Sequence, residues 1–159
     1  DAIRRLECDQ LLEQAITVER KPVLAICVGM QSLMTASEEN GGVACLNQLP
    51  GEVRFFGSPH QEADGTRLKV PHMGWNQVVQ KQAHPLWTGI ESGSHFYFVH
   101  SYHVVPDDPG LVVGTFDYGL AGCAALARDN VFATQFHPEK SHKAGLTLLK
   151  NFLSWDGTC

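Results

Sequence analysis

The chain has 159 residues, 43% of them apolar and 18% charged, with a formal net charge of −5 and no basic stripe. Such a composition argues against nucleic acid as a partner. The length suits one globular domain over 1–159, expected in the cytoplasm from its cysteine usage. No apolar run approaches the ~20 residues of a membrane span, so no membrane contact is expected. The five cysteines are scattered, odd in number and form no Cys-x-x-Cys, so they read as reduced thiols, with Cys8 and Cys123 as small core residues.

In chain order, Ile3, Leu6, Leu11, Leu12, Ala15 and Ile16 predict a helix reaching about Val18. The run 22–26 predicts a buried strand, Cys27 a sharp turn, and 31–37 a helix, stopped by Ser37-Glu-Glu-Asn-Gly-Gly42. Short strands are expected at 53–56 and 67–70 around a turn at 63–65, and another at 75–79. Pro85 suits the first turn of a short helix. Four clearer strands follow at 95–101, 111–115, 122–128 and 131–136, the last three joined by hairpin turns at 117–119 and 129–130. A final helix from about Ser141 is expected to bury Ala144, Leu148, Leu149, Phe152 and Leu153.

The chemistry concentrates at two turns. Strand, Cys27, Gly29, helix is a nucleophile elbow with a thiol at its apex. A helix N-terminus there would favour thiolate and hold the cysteine pKa below its free value of about 8.5. His137 ends a strand, Pro138 turns the chain, and Glu139 can reach back to one ring nitrogen, fixing the tautomer. Thiolate, imidazole and carboxylate are the apparatus of acyl transfer, provided the sulfur of Cys27 lies within proton-transfer distance of the His137 ring. His100-Ser-Tyr-His103 lacks the third ligand a zinc site needs, so no metal is expected. Met73, Trp75 and Tyr97, taken alone, are core candidates.

Gly29-Met-Gln31, Pro71-His-Met-Gly-Trp-Asn76, Phe96-Tyr-Phe-Val-His-Ser-Tyr102 and Gln135-Phe-His-Pro-Glu-Lys-Ser141 together resemble the class I (triad) glutamine amidotransferases. Within them the strings at 71–76 and 96–102 resemble the glutaminase subunits of imidazole glycerol phosphate synthase. The resemblance implies an α/β, flavodoxin-like fold with a mostly parallel sheet flanked by helices. It departs from the family at Ala25, where the elbow usually has Gly. The family also opens on a βαβ unit with an oxyanion strand, so this chain is expected to lack that N-terminal unit and half of its oxyanion hole.

The resemblance further implies catalysis by Cys27, His137 and Glu139, and an oxyanion donor at the backbone of Val28. Substrate contacts would come from Gly29, Gln31, Ser101 and Tyr102, and no cofactor is implied. Glutamine would be the substrate. Met73, Trp75, Tyr97 and Lys140 would face a TIM-barrel cyclase partner in a heterodimer, which receives ammonia and on which turnover depends. The alternatives are the glutaminase of another class I amidotransferase and a truncated, non-catalytic docking subunit.

Overall fold

Turns of two or three residues between adjacent strands can only make antiparallel pairs, because a parallel pair needs a crossover of a dozen residues or more. That constraint shapes the C-terminal half of the computed structural model, which describes residues 8–57, 65 and 68–158. Strands β8 (Val112–Asp117), β9 (Ala121–Arg128) and β10 (Val131–Thr134) run as a meander. Gly119 (φ 67) and Asp129 (φ 53) supply the positive φ in its two turns. Strands β5 (His72–Gln80) and β6 (Ser94–His100) form a long antiparallel pair, and β5 joins the meander through Val79–Thr115.

Near the start of the described chain, β1 (Val23–Ile26) lies parallel to β10, with Ala25 opposite Ala133. The six-stranded sheet thus has the order β1-β10-β9-β8-β5-β6. The α/β class holds, but among the described residues this sheet is mixed, with one parallel pair, rather than mostly parallel. The hairpin turns legible at 117–119 and 129–130 already demanded as much.

A second, four-stranded sheet has only one strand legible in the sequence, that expected at 53–56, here found at Gly51–Phe55. It comprises β2 (Ala36–Ser37), β3 (Val43–Ala44), β4 (Gly51–Phe55) and β7 (Tyr102–Pro106). Its formation cuts short the helix expected over 31–37. Helix α2 spans only Val28–Ser32, and Thr35 then donates its N–H to Gly51 O at 2.9 Å.

The faces of β10 divide the core. Phe132 joins an aromatic cluster with Phe96, Phe98, Phe136 and Trp87, whereas Val131 and Ala133 join Met30, Met34 and Leu126. Helix α3 (His142–Ser154) packs on the aromatic side through Leu148, with Ala144 and Phe152 partly buried; Leu149 is half-buried, and Leu153 faces solvent, contrary to expectation. Helix α1 (Cys8–Glu13) continues as a wider turn through Val18, burying Ile16 but leaving Leu11 and Leu12 exposed. Ile3 and Leu6 lie outside the described residues, as do 58–64, 66 and 67; Leu68 to Val70 form no strand. Cys123 is buried as expected, but Cys8 is only half-buried because α1 buries none of its residues.

Candidate active site

Cys27 and His137 both follow the C-terminal ends of neighbouring parallel strands. The Cys27 N–H donates to Thr134 O at 2.7 Å, extending the β1–β10 ladder by one position. There the backbone turns sharply, with φ 51 and ψ −107, a conformation that costs a non-glycine residue about 1–3 kcal/mol. Val28 begins α2 at once, so the elbow is formed. A Cβ placed on Gly29 would lie 3.7 Å from the Ala25 methyl, ordinary contact, so Ala25 sits in the elbow without crowding that residue.

Beyond β10, Gln135 and Phe136 are fully buried, and His137 N–H donates to Tyr97 O at 2.9 Å. Pro138 opens a one-turn helix, Pro138–Lys140, which brings Glu139 back toward the imidazole. His137 Nδ1 lies 2.8 Å from Glu139 Oε1. A carboxylate only accepts, so Nδ1 carries a proton, and in the neutral imidazole Nε2 is the nitrogen with the lone pair. That Nε2 is buried and has no hydrogen-bond partner among the described residues. Ser141 pins the turn: its hydroxyl donates to His137 O at 2.6 Å and accepts from Tyr97 N at 2.9 Å.

The thiol departs from expectation in two respects. Burial pushes the Cys27 pKa up, outweighing the Val28 N–H, the Gln135 amide and Lys140, which lower it; Glu139 also raises it. The helix terminus therefore does not bring it below the free value, because the sulfur is desolvated and α2 is barely one turn long. In addition, Sγ donates to Val99 O at 3.9 Å and accepts from Gln135 Nε2 at 3.7 Å, with no hydrogen bond to His137.

A cleft of about 350 Å³ opens at the sulfur, within the usual range of small-ligand sites. Val28, Gln31, Ser101 and Tyr102 line it, whereas Gly29 does not. Glu39, part of the helix stop at 37–42, contributes the carboxylate of the lining. Nothing in its local pattern marks it; only the fold of 33–41 brings it to the cleft. His100 forms part of the wall, and His72 Nδ1 lies 3.0 Å from its Nε2. Burial lowers both imidazoles, His72 to about 3 with help from the His100 charge and His100 to about 4, so both are neutral near pH 7.

Met73 and Trp75 are exposed on β5, and Trp75 meets Tyr97 across the strand pair at 5.9 Å. Lys140 is exposed at the end of the one-turn helix that follows His137. A larger groove of about 590 Å³ adjoins Trp75 and the start of α3, but holds neither Cys27 nor His137. Among the described residues no group of three His, Cys, Asp or Glu side chains could hold a metal ion. No described helix is long and apolar enough to cross a membrane.

Comparison with known proteins shows the family. Residues 4–155 match the glutamine amidotransferase class-I family, and the chain belongs to that family. It is 56% identical over 149 residues to "Imidazole glycerol phosphate synthase subunit HisH" of Acinetobacter baylyi, covering 93% of this chain and 69% of that one. The protein of the same name from Pseudomonas putida is 55% identical over 155 residues, covering 98% and 72%. The narrower resemblance carried by 71–76 and 96–102 is thereby borne out. A glutamine amidotransferase structure from Thermotoga maritima matches with a TM-score of 0.58 at 16% identity, over 92% of this chain and 52% of that one, which supports the fold.

Proposed function

We propose that this chain hydrolyses the side-chain amide of glutamine and passes the ammonia to a cyclase partner of TIM-barrel fold. The pair would form imidazole glycerol phosphate and AICAR in the cytoplasm, as part of histidine biosynthesis. Family membership and the HisH relatives support this assignment. The observation that carries it is the buried, unpartnered Nε2 of His137, with Glu139 on the opposite nitrogen, at the same sheet edge as a strained cysteine.

In the reaction, the Cys27 side chain rotates from Val99 O toward Nε2, which takes the thiol proton. The thiolate attacks the carboxamide carbon, and the resulting oxyanion receives the Val28 N–H. One such donor is worth about 10² to 10³ in rate. His137 returns the proton to nitrogen, ammonia leaves, and a thioester remains on Cys27. The same imidazole then activates water to release glutamate, while Glu139 holds its Nδ1 throughout.

Gln31 places its amide nitrogen within reach of Tyr102 O and Gln135 Oε1, at 3.0 and 3.2 Å. Its oxygen is thus the group it offers to substrate. Glu39 suits the α-ammonium of an amino acid, and Ser101 and Tyr102 complete the cleft. Met73, Trp75, Tyr97 and Lys140 form the surface offered to the cyclase, an aromatic and methionine-bearing patch of the kind enriched at interfaces.

The desolvated thiol, turned toward Val99 O, favours as second reading a subunit that docks without turnover by itself. Ammonia release from glutamine, measured with and without the cyclase, separates the two. The proposal expects turnover with the cyclase present and its loss in Cys27→Ser and in His137→Asn. Equal rates in wild type and Cys27→Ser would reject it.

A further inference from the structure

Gln135 has no exposed surface, although it carries a primary amide at the end of β10. A buried amide requires defined partners, and here each successive partner fixes the next. The Tyr102 carbonyl can only accept, and Gln31 Nε2 reaches it at 3.0 Å. His100 Nδ1 donates to the same oxygen from 2.8 Å. Gln31 therefore turns its nitrogen inward, and its other hydrogen goes to Gln135 Oε1 at 3.2 Å. With its oxygen engaged, Gln135 has only its Nε2 to present to the Cys27 sulfur, at 3.7 Å.

Behind this line the order continues. Because His100 Nδ1 is a donor, its Nε2 accepts from His72 Nδ1 at 3.0 Å, and His72 Nε2 accepts from Asn76 Nδ2 at 3.3 Å. A row of oriented hydrogen bonds thus runs from β5 through β6 and α2 to the nucleophile.

We propose that Gln135 is a positioning residue for the nucleophile: its amide, oriented by Gln31, donates to the Cys27 sulfur and favours thiolate over thiol. This deepens, and rests on, the assignment of Cys27 as nucleophile. A donor of this kind counts for more when the acceptor is ionised, because charge-assisted hydrogen bonds are about twice as strong as neutral ones. The other groups acting on the sulfur are the Val28 N–H on α2, Glu139 and Lys140 on the turn after β10, and the Val99 carbonyl on β6. Substituting Gln135 alters none of these side chains. Since Gln31 also lines the cleft, the arrangement ties occupancy of the glutamine site to the state of the sulfur.

The test is alkylation of the full chain by iodoacetamide, followed on the Cys27 peptide by mass spectrometry across a pH series. The midpoint reports ionisation of the sulfur, and the plateau at high pH reports access to it. Gln135→Met keeps the side-chain length but removes the donor. It should move the midpoint upward and slow Cys27 alkylation about threefold to tenfold near neutral pH. Gln135→Glu keeps the acceptor for Gln31 and turns a carboxylate toward the sulfur, so the midpoint should rise further. A Gln135 that served packing alone would lower the Tm of both variants and leave the midpoint at its wild-type value, which overturns the proposal. Should neither variant fold, Gln31→Met is read in the same way, and an unmoved midpoint there overturns it equally. Failure of the glutaminase assignment would appear separately, as absent glutamine turnover in the wild-type complex.

Discussion

Lowering the pH from about 7.5 to about 5 should cost this protein much of its stability, through three histidines held neutral inside it. Burial pushes His72 to about 3, His84 to about 4 and His100 to about 4, and His72 is lowered further by His100. A histidine whose folded pKa lies below its unfolded value of about 6.5 stabilises the native state above that value. The contribution is lost as the pH falls toward the folded pKa, because the unfolded chain binds protons that the native one refuses. Over this interval each group loses about 2 kcal/mol, so the three together lose about 6 kcal/mol. That rivals the whole stability of a typical domain, about 5–15 kcal/mol. Carboxylates mostly titrate below this window, which leaves the histidines as the main contributors.

Urea unfolding followed by tryptophan fluorescence at a series of pH values and constant ionic strength measures this directly. His84→Asn should remove about a third of the slope, since it retains an acceptor for the Leu86 N–H that His84 Nδ1 now caps at 3.1 Å. A stability that changes by less than about 1 kcal/mol across the interval would refute the argument. The His72–His100 pair also holds the Tyr102 carbonyl that orients Gln31, so the cleft should lose definition along the same acid limb.

Ser141→Ala removes the hydroxyl that joins His137 O to Tyr97 N, and should cost about 1–3 kcal/mol in unfolding together with a fall in kcat. Gly145→Ala should be worse placed than its helical position suggests: a Cβ there overlaps the Pro138 carbonyl oxygen and Ser141, so the Glu139 turn must move. A lowered Tm with reduced turnover is expected, and a wild-type Tm would contradict the packing. Glu39→Gln should raise the KM for glutamine with a smaller effect on kcat, because the carboxylate lines the cleft away from the sulfur's own hydrogen bonds. An unchanged KM would exclude Glu39 from ammonium binding.

Much of the candidate site was legible because each of its features is local. The run before Cys27 and the small Gly29 after it describe an elbow whatever surrounds them, and Pro138 places Glu139 within reach of His137. The meander was legible for the same reason, since its turns are two or three residues long. What escaped depends on distant parts of the chain. Strands of two residues, such as Ala36–Ser37, carry no period, and Tyr102–Pro106 pairs with a segment that only the fold brings near. Gln135 looks like one more residue of a strand until Gln31, on another element, determines which way its amide faces. The sign of the Cys27 shift was missed because sequence shows a helix start but not how far the sulfur is withdrawn from water.

In the proposed reaction the sulfur of Cys27 attacks a glutamine carboxamide with His137 as base. A glutamine analogue bearing an electrophilic diazoketone, applied to the complex with its cyclase and read by peptide mass spectrometry, tests it most directly. A covalent adduct on Cys27 is expected, suppressed by excess glutamine and much slower in His137→Asn. No adduct at Cys27, under conditions where iodoacetamide does reach that sulfur, would contradict it.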